Sequence, residues 1–431
     1  MSGVKTRRVF LQQSIAGAVA AATAGRPGRA QTRSANEKLG IAIIGVAGQG
    51  EYNLNNVFAS ETIVALCDVD ENRAAAARNR FPKATFHTDF RRLFDQKDID
   101  AVVISTPDHT HAPATVMALK AGKHVYCEKP LTHSVYEARV VAETAVKMKR
   151  ATQMGTQIHA GPNYRRVVEL IKSGAIGPVR EAHCWVGGAW VGADRPQDTP
   201  PIPAGLHYDL WLGPAPYRPY HPTYMPANWR GWWDFGGGTL GDMGCHHMDL
   251  AYWALDLTHP LTVEAEGPPV HPESAPPWLR VRYEYPARGS QPPVRLTWWH
   301  GEKNRPPQFA EGKLPEWGNG TLFVGEKGML LADYDKHVLL PQKDFEGFKR
   351  PDPFIPNSIG HHNEWIRACK TGSPTTCNFT YSGALTEAVL LGNVAYRSGK
   401  KLQWDPKHLK ITNAPDAERF LRREYREGWA L

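Results

Sequence analysis

After residue 30 no apolar run approaches the roughly 18 uninterrupted residues that a membrane-spanning helix needs, so a stable membrane span is not expected. The six cysteines contain no Cys-x-x-Cys pair and no zinc-ligand spacing, which leaves no metal site to expect from them. An oxidising compartment would permit a Cys369–Cys377 bridge, yet nothing in the sequence argues for one. Acidic residues are missing from residues 1–30, where Lys5, Arg7, Arg8, Arg26 and Arg29 supply five of the eight net positive charges. The remainder holds no basic cluster, which argues against a nucleic-acid partner. No internal repeat or low-complexity block is present beyond the leader.

That leader reads as an export signal. Thr6-Arg7-Arg8-Val9-Phe10-Leu11 resembles the twin-arginine consensus, an Ala-rich apolar run follows from Ile15 to Ala24, and Gly28-Arg29-Ala30 offers small residues for cleavage after Ala30. The expectation is a soluble periplasmic protein, handed folded to the twin-arginine machinery with a cofactor already loaded. With 431 residues the chain is long enough for two domains with their own cores.

From Leu39 an apolar run ends in Gly45-Val-Ala47-Gly48-Gln-Gly50 and enters a helix-compatible segment. This is the strand, tight turn and helix start of a dinucleotide site, with Ala47 where the middle glycine usually stands. A second buried-strand pattern, Thr62 to Cys67, ends in Asp68, 23 residues after Gly45. An acid there is placed to accept from ribose hydroxyls and would repel a 2′-phosphate, so NAD is expected over NADP. Strand and helix patterns then alternate to Met154, including a capping box that opens a helix at Ser134-Val-Tyr-Glu137. The fold class expected is α/β, with residues 36–157 as a doubly wound Rossmann domain and residues 158–431 as a second, substrate-binding domain. Two strand ends carry polar chemistry toward the cleft: Thr106-Pro107-Asp-His-Thr-His111, and Glu128-Lys129-Pro130. Lys129 at such a strand end could stabilise a developing alkoxide.

Asp242 and His246 lie four residues apart in a glycine-rich stretch. If helical, that spacing places them on one face, where a carboxylate can fix the tautomer of an imidazole. Gln157, His159 and Asn163 leave the last Rossmann strand toward the cleft and are candidate substrate contacts. Ten of the fourteen tryptophans fall between Trp185 and Trp299, mixed with polar residues. That mixture suits a carbohydrate or cyclitol pocket, with Tyr208, Trp211, Arg230 and Trp233 as candidate contacts, although these rings could equally supply a local core.

The glycine turn at 45–50, Asp68, the Thr-Pro-x-x-x-His run ending at His111, Glu128-Lys129-Pro130 and Asp242-x-Gly-x-His246 occur in the order seen in the Gfo/Idh/MocA oxidoreductases. Over nearly the whole mature chain the sequence resembles that family, and its leader and Trp229-Arg-Gly-Trp-Trp block resemble the exported branch. The resemblance implies a Rossmann domain followed by an α/β domain with an open, largely antiparallel sheet, often used in oligomer contacts, so a homo-oligomer is expected. It implies Lys129, Asp242 and His246 as the catalytic lysine, aspartate and histidine, and cofactor contacts from Gly45, Ala47, Gly48, Gly50, Asp68, Thr106, Pro107, His111, Glu128 and Lys129. The function that follows is NAD-dependent oxidation of a CH–OH group on a sugar or cyclitol. The alternatives are NAD-dependent glycoside cleavage through transient oxidation, a metal hydrolase built on His246, His247 and Asp249, and a non-catalytic sugar-binding protein.

Overall fold

The computed structural model describes residues 37–431, and the expected leader lies outside the described residues. The first half alternates as its apolar runs dictate. It comprises β1 (Gly40–Ile44), α1 (Gln49–Phe58), β2 (Thr62–Cys67), α2 (Glu71–Arg80), β3 (Thr85–His87), β4 (Ala101–Ile104), α3 (Asp108–Lys120), β5 (His124–Cys127), α4 (Val135–Met148) and β6 (Thr152–Met154). These strands form one parallel sheet in the order β3-β2-β1-β4-β5-β6. β1 and β4 are buried along their whole length, as a sheet covered on both faces requires. Ser134 and Glu137 close the expected capping box on α4. α3 starts at Asp108, directly after Pro107, which caps it.

The second half continues with α5 (Pro162–Lys172), β7 (Val179–Val186), α6 (Tyr208–Leu212), α7 (Gly238–Leu255), β8 (Thr262–Glu266), β9 (Leu279–Tyr285), β10 (Val294–His300), β11 (Asn319–Gly325), β12 (Gly328–Ala332) and β13 (His337–Leu340). It ends with α8 (His361–Thr371), α9 (Phe379–Ser398), β14 (Leu402–Asp405) and β15 (Lys410–Ile411). Its nine strands run β13-β12-β11-β7-β10-β9-β8-β14-β15, with β7 and β10 parallel and the other neighbours antiparallel. This is the open, largely antiparallel sheet expected. β8, β14 and β15 alternate in character but are too short, at five, four and two residues, to stand out in a pattern search.

α7 packs against α9, and α9 reaches back onto α4 of the parallel-sheet half. There Arg139 on α4 makes a two-pronged ion pair with the buried Glu387 on α9, at 2.8 and 2.9 Å. The two halves are thus held by packing and by a bidentate charge pair, and the cleft between them opens at the carboxyl ends of β1, β2, β4 and β5. Cys369 and Cys377 are both free thiols.

Candidate active site

A cavity of about 290 Å³ runs along these strand ends, lined at one end by Gly45, Ala47, Gly48 and Asp68 and at the other by Lys129 and Arg230. Gly45 turns the chain out of β1 at a φ of +80°, and a Cβ there would lie 2.5 Å from the Ser105 carbonyl oxygen. At Gly50 a Cβ would meet the Gly45 carbonyl oxygen at 1.9 Å, so only glycine lets α1 start this close to β1. Ala47 needs no left-handed backbone, since Gly48 takes that conformation in its place. The departure from the usual glycine spacing therefore keeps the turn. Gly48 caps α1 without a side chain, leaving the helix start open to an anion. Asp68 ends β2, its carboxylate accepting from the amides of Val46 and Asp70 at 3.0 Å each. Burial raises its pKa against those two hydrogen bonds. A glycine cradle too tight for any Cβ, an uncapped helix start and an acid at the next strand end fit a dinucleotide. Gly45 to Gly50 would hold its pyrophosphate and Asp68 its adenosine ribose.

The other end is assembled from four elements. Lys129, just past β5, extends its ammonium to within 2.5 Å of Asp242 Oδ1 on α7. Arg230, from a short 3₁₀ turn at Asn228–Gly231, donates from Nε to the same oxygen at 3.2 Å. Trp190 donates its indole N–H to Asp242 Oδ2 at 2.6 Å. Burial works against ionisation of Asp242, but the Lys129 and Arg230 charges outweigh it and hold the carboxyl below the usual carboxylate range. Arg230 in turn lies over the rings of Trp229 and Trp190, with its guanidinium carbon 4.2 and 5.3 Å from their centroids. The result is a fixed carboxylate holding two cations at the cavity wall.

Glu128 sits beneath, fully buried, receiving Asn53 at 2.8 Å and Gln49 at 3.0 Å on Oε1. Asn53 also donates to Ser105 Oγ at 2.9 Å, and its carbonyl lies 2.8 Å from His362 Nε2 on α8. His362 stacks on Tyr126 of β5, centroids 4.9 Å apart. A helix from the second half thereby fixes the amide that fixes Glu128.

Several expected contacts fall elsewhere. Asp242 and His246 do share α7, but the Asp242 carboxylate is occupied by Lys129, Arg230 and Trp190, and His246 Nδ1 is buried without a partner among the described residues. The expected carboxylate–imidazole bond is therefore replaced by a carboxylate–ammonium one, because a full cation competes better for a buried carboxylate than a neutral ring. Burial first, then the Lys129 charge, push the His246 pKa well below its ordinary value, so the ring is neutral. His111 does not line the cavity. Its two ring nitrogens lie 2.8 Å from the Thr106 and Pro130 carbonyl oxygens, bracing the two strand-end loops against each other. His159 is buried with Nδ1 3.0 Å from both Asp249 oxygens, and Asn163 donates to the Asp333 and Lys336 carbonyls of the β12–β13 hairpin. Trp233 is buried, its indole N–H on the His271 carbonyl. Gln157 and Tyr208 also stay off the cavity wall, and Tyr208 stacks behind Trp211. Of the expected contacts, Gly45, Ala47, Gly48, Asp68, Thr106, Pro107, Glu128, Lys129, Trp211 and Arg230 do line it, while Gly50 sits behind the turn.

His246, His247 and Asp249 do not converge either. His247 Nε2 meets the Tyr334 hydroxyl at 3.0 Å, while Asp249 accepts from Tyr381 at 2.7 Å as well as facing His159. The ligand atoms of His159, Asp249 and Cys377 lie within 4.8 Å of one another, but this trio shares only Asp249 with the expected set and lies off the cavity wall. Trp190, Trp229, Asn53, His362 and Asp108 were missed as site residues. Only Asp108 carried a usable signal, an acid directly after the proline that ends a strand in the cleft.

Sequence profiles of one oxidoreductase family match most of the chain. Its NAD-binding Rossmann fold covers residues 39–156 and its C-terminal alpha/beta domain residues 179–431. The inositol 2-dehydrogenase of Rubrobacter xylanophilus is 33% identical over 149 residues, 34% of this chain and 43% of that protein. The chain thus matches less than half the length of the curated relatives it resembles. GenD2 from gentamicin A biosynthesis, solved in complex with NAD, superposes with a TM-score of 0.60 at 18% identity, covering 86% of this chain and 97% of that one. The WlbA dehydrogenase of Bordetella pertussis, solved with NADH and UDP-GlcNAcA, gives 0.60 at 16% identity over 86% and 99%. At these identities the two structures speak for the fold.

Proposed function

The chain belongs to the Gfo/Idh/MocA oxidoreductase family, and on that premise we propose that it is an NAD-dependent dehydrogenase of a secondary alcohol on a small sugar, cyclitol or derivative. The observation that carries this reading is the 2.5 Å contact between Lys129 and Asp242, a pair contributed by the two halves at the far end of a cavity that starts at the glycine turn. Bound NAD supplies an acceptor for the hydrogen and electron pair leaving the substrate carbon. The chain does the rest. Lys129, held by an ionised Asp242, polarises the substrate oxygen, and His246, kept neutral, takes the hydroxyl proton. Trp211 and Trp229 offer flat faces to the C–H side of a ring, and Arg230 offers donors to its hydroxyls.

The twin-arginine leader adds a constraint. An exported enzyme meets no free nicotinamide pool, so in this reading NAD is loaded before export and a second carbonyl substrate reoxidises it in each cycle. A homo-oligomer joined through the open sheet belongs to the same proposal, and sedimentation tests it. Fractionation of cells carrying Arg7→Lys with Arg8→Lys tests export, with cytoplasmic retention expected and unchanged periplasmic protein against it. The function itself is tested by incubating purified protein with myo-inositol and a panel of aldoses and glycosides, with and without an aldose acceptor. A ketone product paired with reduced acceptor or NADH supports the reading. Aglycone released without net NADH would overturn it in favour of glycoside cleavage.

A further inference from the structure

We propose that Asp108 is a second proton-exchanging group of this cavity, alternating between carboxylic acid and carboxylate as a bound substrate hydroxyl loses or regains its proton. The proposal rests on the dehydrogenase reading above and adds a residue to it. Asp108 is the first residue of α3, lines the cavity beside Lys129 and Arg230, and is only 3% exposed. Its position is fixed from both sides. The next residue, His109, donates its amide to the Phe235 carbonyl at 3.2 Å and sets Nε2 2.8 Å from the Trp211 carbonyl, which draws the turn before α7 onto the start of α3.

The charges around Asp108 are already committed. Arg230 from the 3₁₀ turn, Lys129 from the end of β5 and Asp242 from α7 all act on it, and both cations are bonded to Asp242 instead. Among the described residues no cation lies within ion-pair distance of Asp108. Cys127 from β5 and Cys245 from α7 also face it, and burial keeps both thiols protonated. The remaining neighbour is the Gly237 amide ahead of α7. A second carboxylate next to an ionised one is disfavoured unless it carries its own counter-charge, so the two carboxyls separate. Burial pushes Asp108 up to about 8, with the Asp242 charge adding to that and Arg230, Lys129 and the Gly237 amide opposing it. Glu128, the other buried acid here, is held by Asn53 and Gln49 and has no comparable freedom to exchange.

The step is a proton transfer with no change of oxidation state at the protein. The substrate O–H bond breaks, His246 takes the proton first and passes it on to form the Asp108 carboxylic acid, and from there it returns to solvent as the carbonyl product leaves. In the reverse direction the acid form donates. Oxidation should therefore rise with pH through about 8, and carbonyl reduction should fall over the same interval.

The test uses the full protein and the isosteric variant Asp108→Asn. A pH-difference infrared spectrum of the wild type, taken between about pH 6 and about pH 10, should lose a protonated-carboxyl band near pH 8 that the variant lacks. Thermal unfolding gives a second readout that needs no substrate. A carboxyl whose folded pKa is raised costs stability progressively as pH rises from its unfolded value to its folded one. The variant should therefore gain on the wild type between about pH 4 and about pH 8. With any alcohol that the wild type oxidises, the variant should turn over about 10- to 100-fold more slowly and lose the pH limb, with NADH binding unchanged. A wild type without the titration, or a variant that keeps both turnover and limb, overturns the proposal. If no alcohol is oxidised while the Asp108 titration is present, the dehydrogenase reading fails and the proposed exchange with a substrate hydroxyl falls with it, whereas an oxidising wild type matched by an undiminished variant overturns the role of Asp108 alone.

Discussion

The two ends of the cavity are built in opposite ways. The dinucleotide end comes from 24 consecutive residues, Gly45 to Asp68, in which each feature follows from local sterics. Glycine stands where a Cβ would strike a carbonyl, and an acid stands at the next strand end. The reactive end gathers Lys129, Trp190, Arg230 and Asp242 from four separate elements, and its chemistry exists only because those side chains meet. Local geometry therefore grips the cofactor, while long-range assembly tunes the charges. Damage to the first end should loosen binding, and damage to the second should slow chemistry.

The sharpest way to break that division is Lys129→Met, which removes the cation that anchors Asp242 and that we propose polarises the substrate. Turnover should fall by about 10² to 10³, the usual cost of losing an electrostatic stabiliser of this kind, with NADH affinity nearly unchanged by fluorescence titration. A large loss of NADH affinity instead would mean that the two ends are one site.

Asp242→Asn comes next, with a loss of about 10- to 100-fold expected because Lys129 and Arg230 lose their fixed counter-charge. The His246 tautomer, read from ring nitrogen shifts by NMR, should not change, since the Asp242 carboxylate bonds to Lys129 and Arg230 rather than to the imidazole. The pH dependence has a definite sign. Asp242 has a depressed pKa, so the stabilisation it contributes is complete above about pH 4 and is lost only as pH falls through its lower folded value. It should impose no acid limb on turnover between about pH 5 and about pH 8.

This contrast also explains what could be read from the chain. The parallel sheet and the glycine turn were legible because their causes are local: apolar runs, short-range sterics and an acid at a fixed offset. The order of motifs singles out Lys129, Asp242 and His246 as candidates, but it does not tell which of them pair. The i, i+4 spacing put Asp242 and His246 on one helix face, yet spacing cannot reveal that a lysine 113 residues away takes the carboxylate. The tryptophan-rich segment failed for a related reason. Composition suits both a pocket and a core, and the segment lines the cavity as well as a core: Trp232 and Phe235 are core, Trp233 packs away from the cavity, and Trp211 and Trp229 have one side in each.

At the cofactor end, Asp68→Ala should weaken NAD binding by about tenfold, the scale of one or two hydrogen bonds to a ligand, and should narrow the preference for NAD over NADP by removing the like charge. Equal losses for both cofactors would mean that Asp68 acts only by holding the Val46 and Asp70 amides.

The smallest effect tests a device that links the two ends. His362 lies 309 residues from Asn53, yet its ring nitrogen fixes the Asn53 carbonyl and so directs the amide donors to Glu128 and Ser105. In His362→Ala the amide loses the partner that sets its orientation, and Tyr126 loses a stacked ring. A destabilisation of about 1 to 2 kcal/mol is expected from one unmet buried acceptor, measured by denaturant unfolding, with turnover reduced only a few-fold. His362→Gln, which can still donate to Asn53, should recover most of the turnover but not the stacking. If His362→Ala instead slows turnover as much as Lys129→Met, then Glu128 must be held to within a fraction of an ångström for the chemistry. The network behind the cleft would then belong to the reactive end rather than to the scaffold.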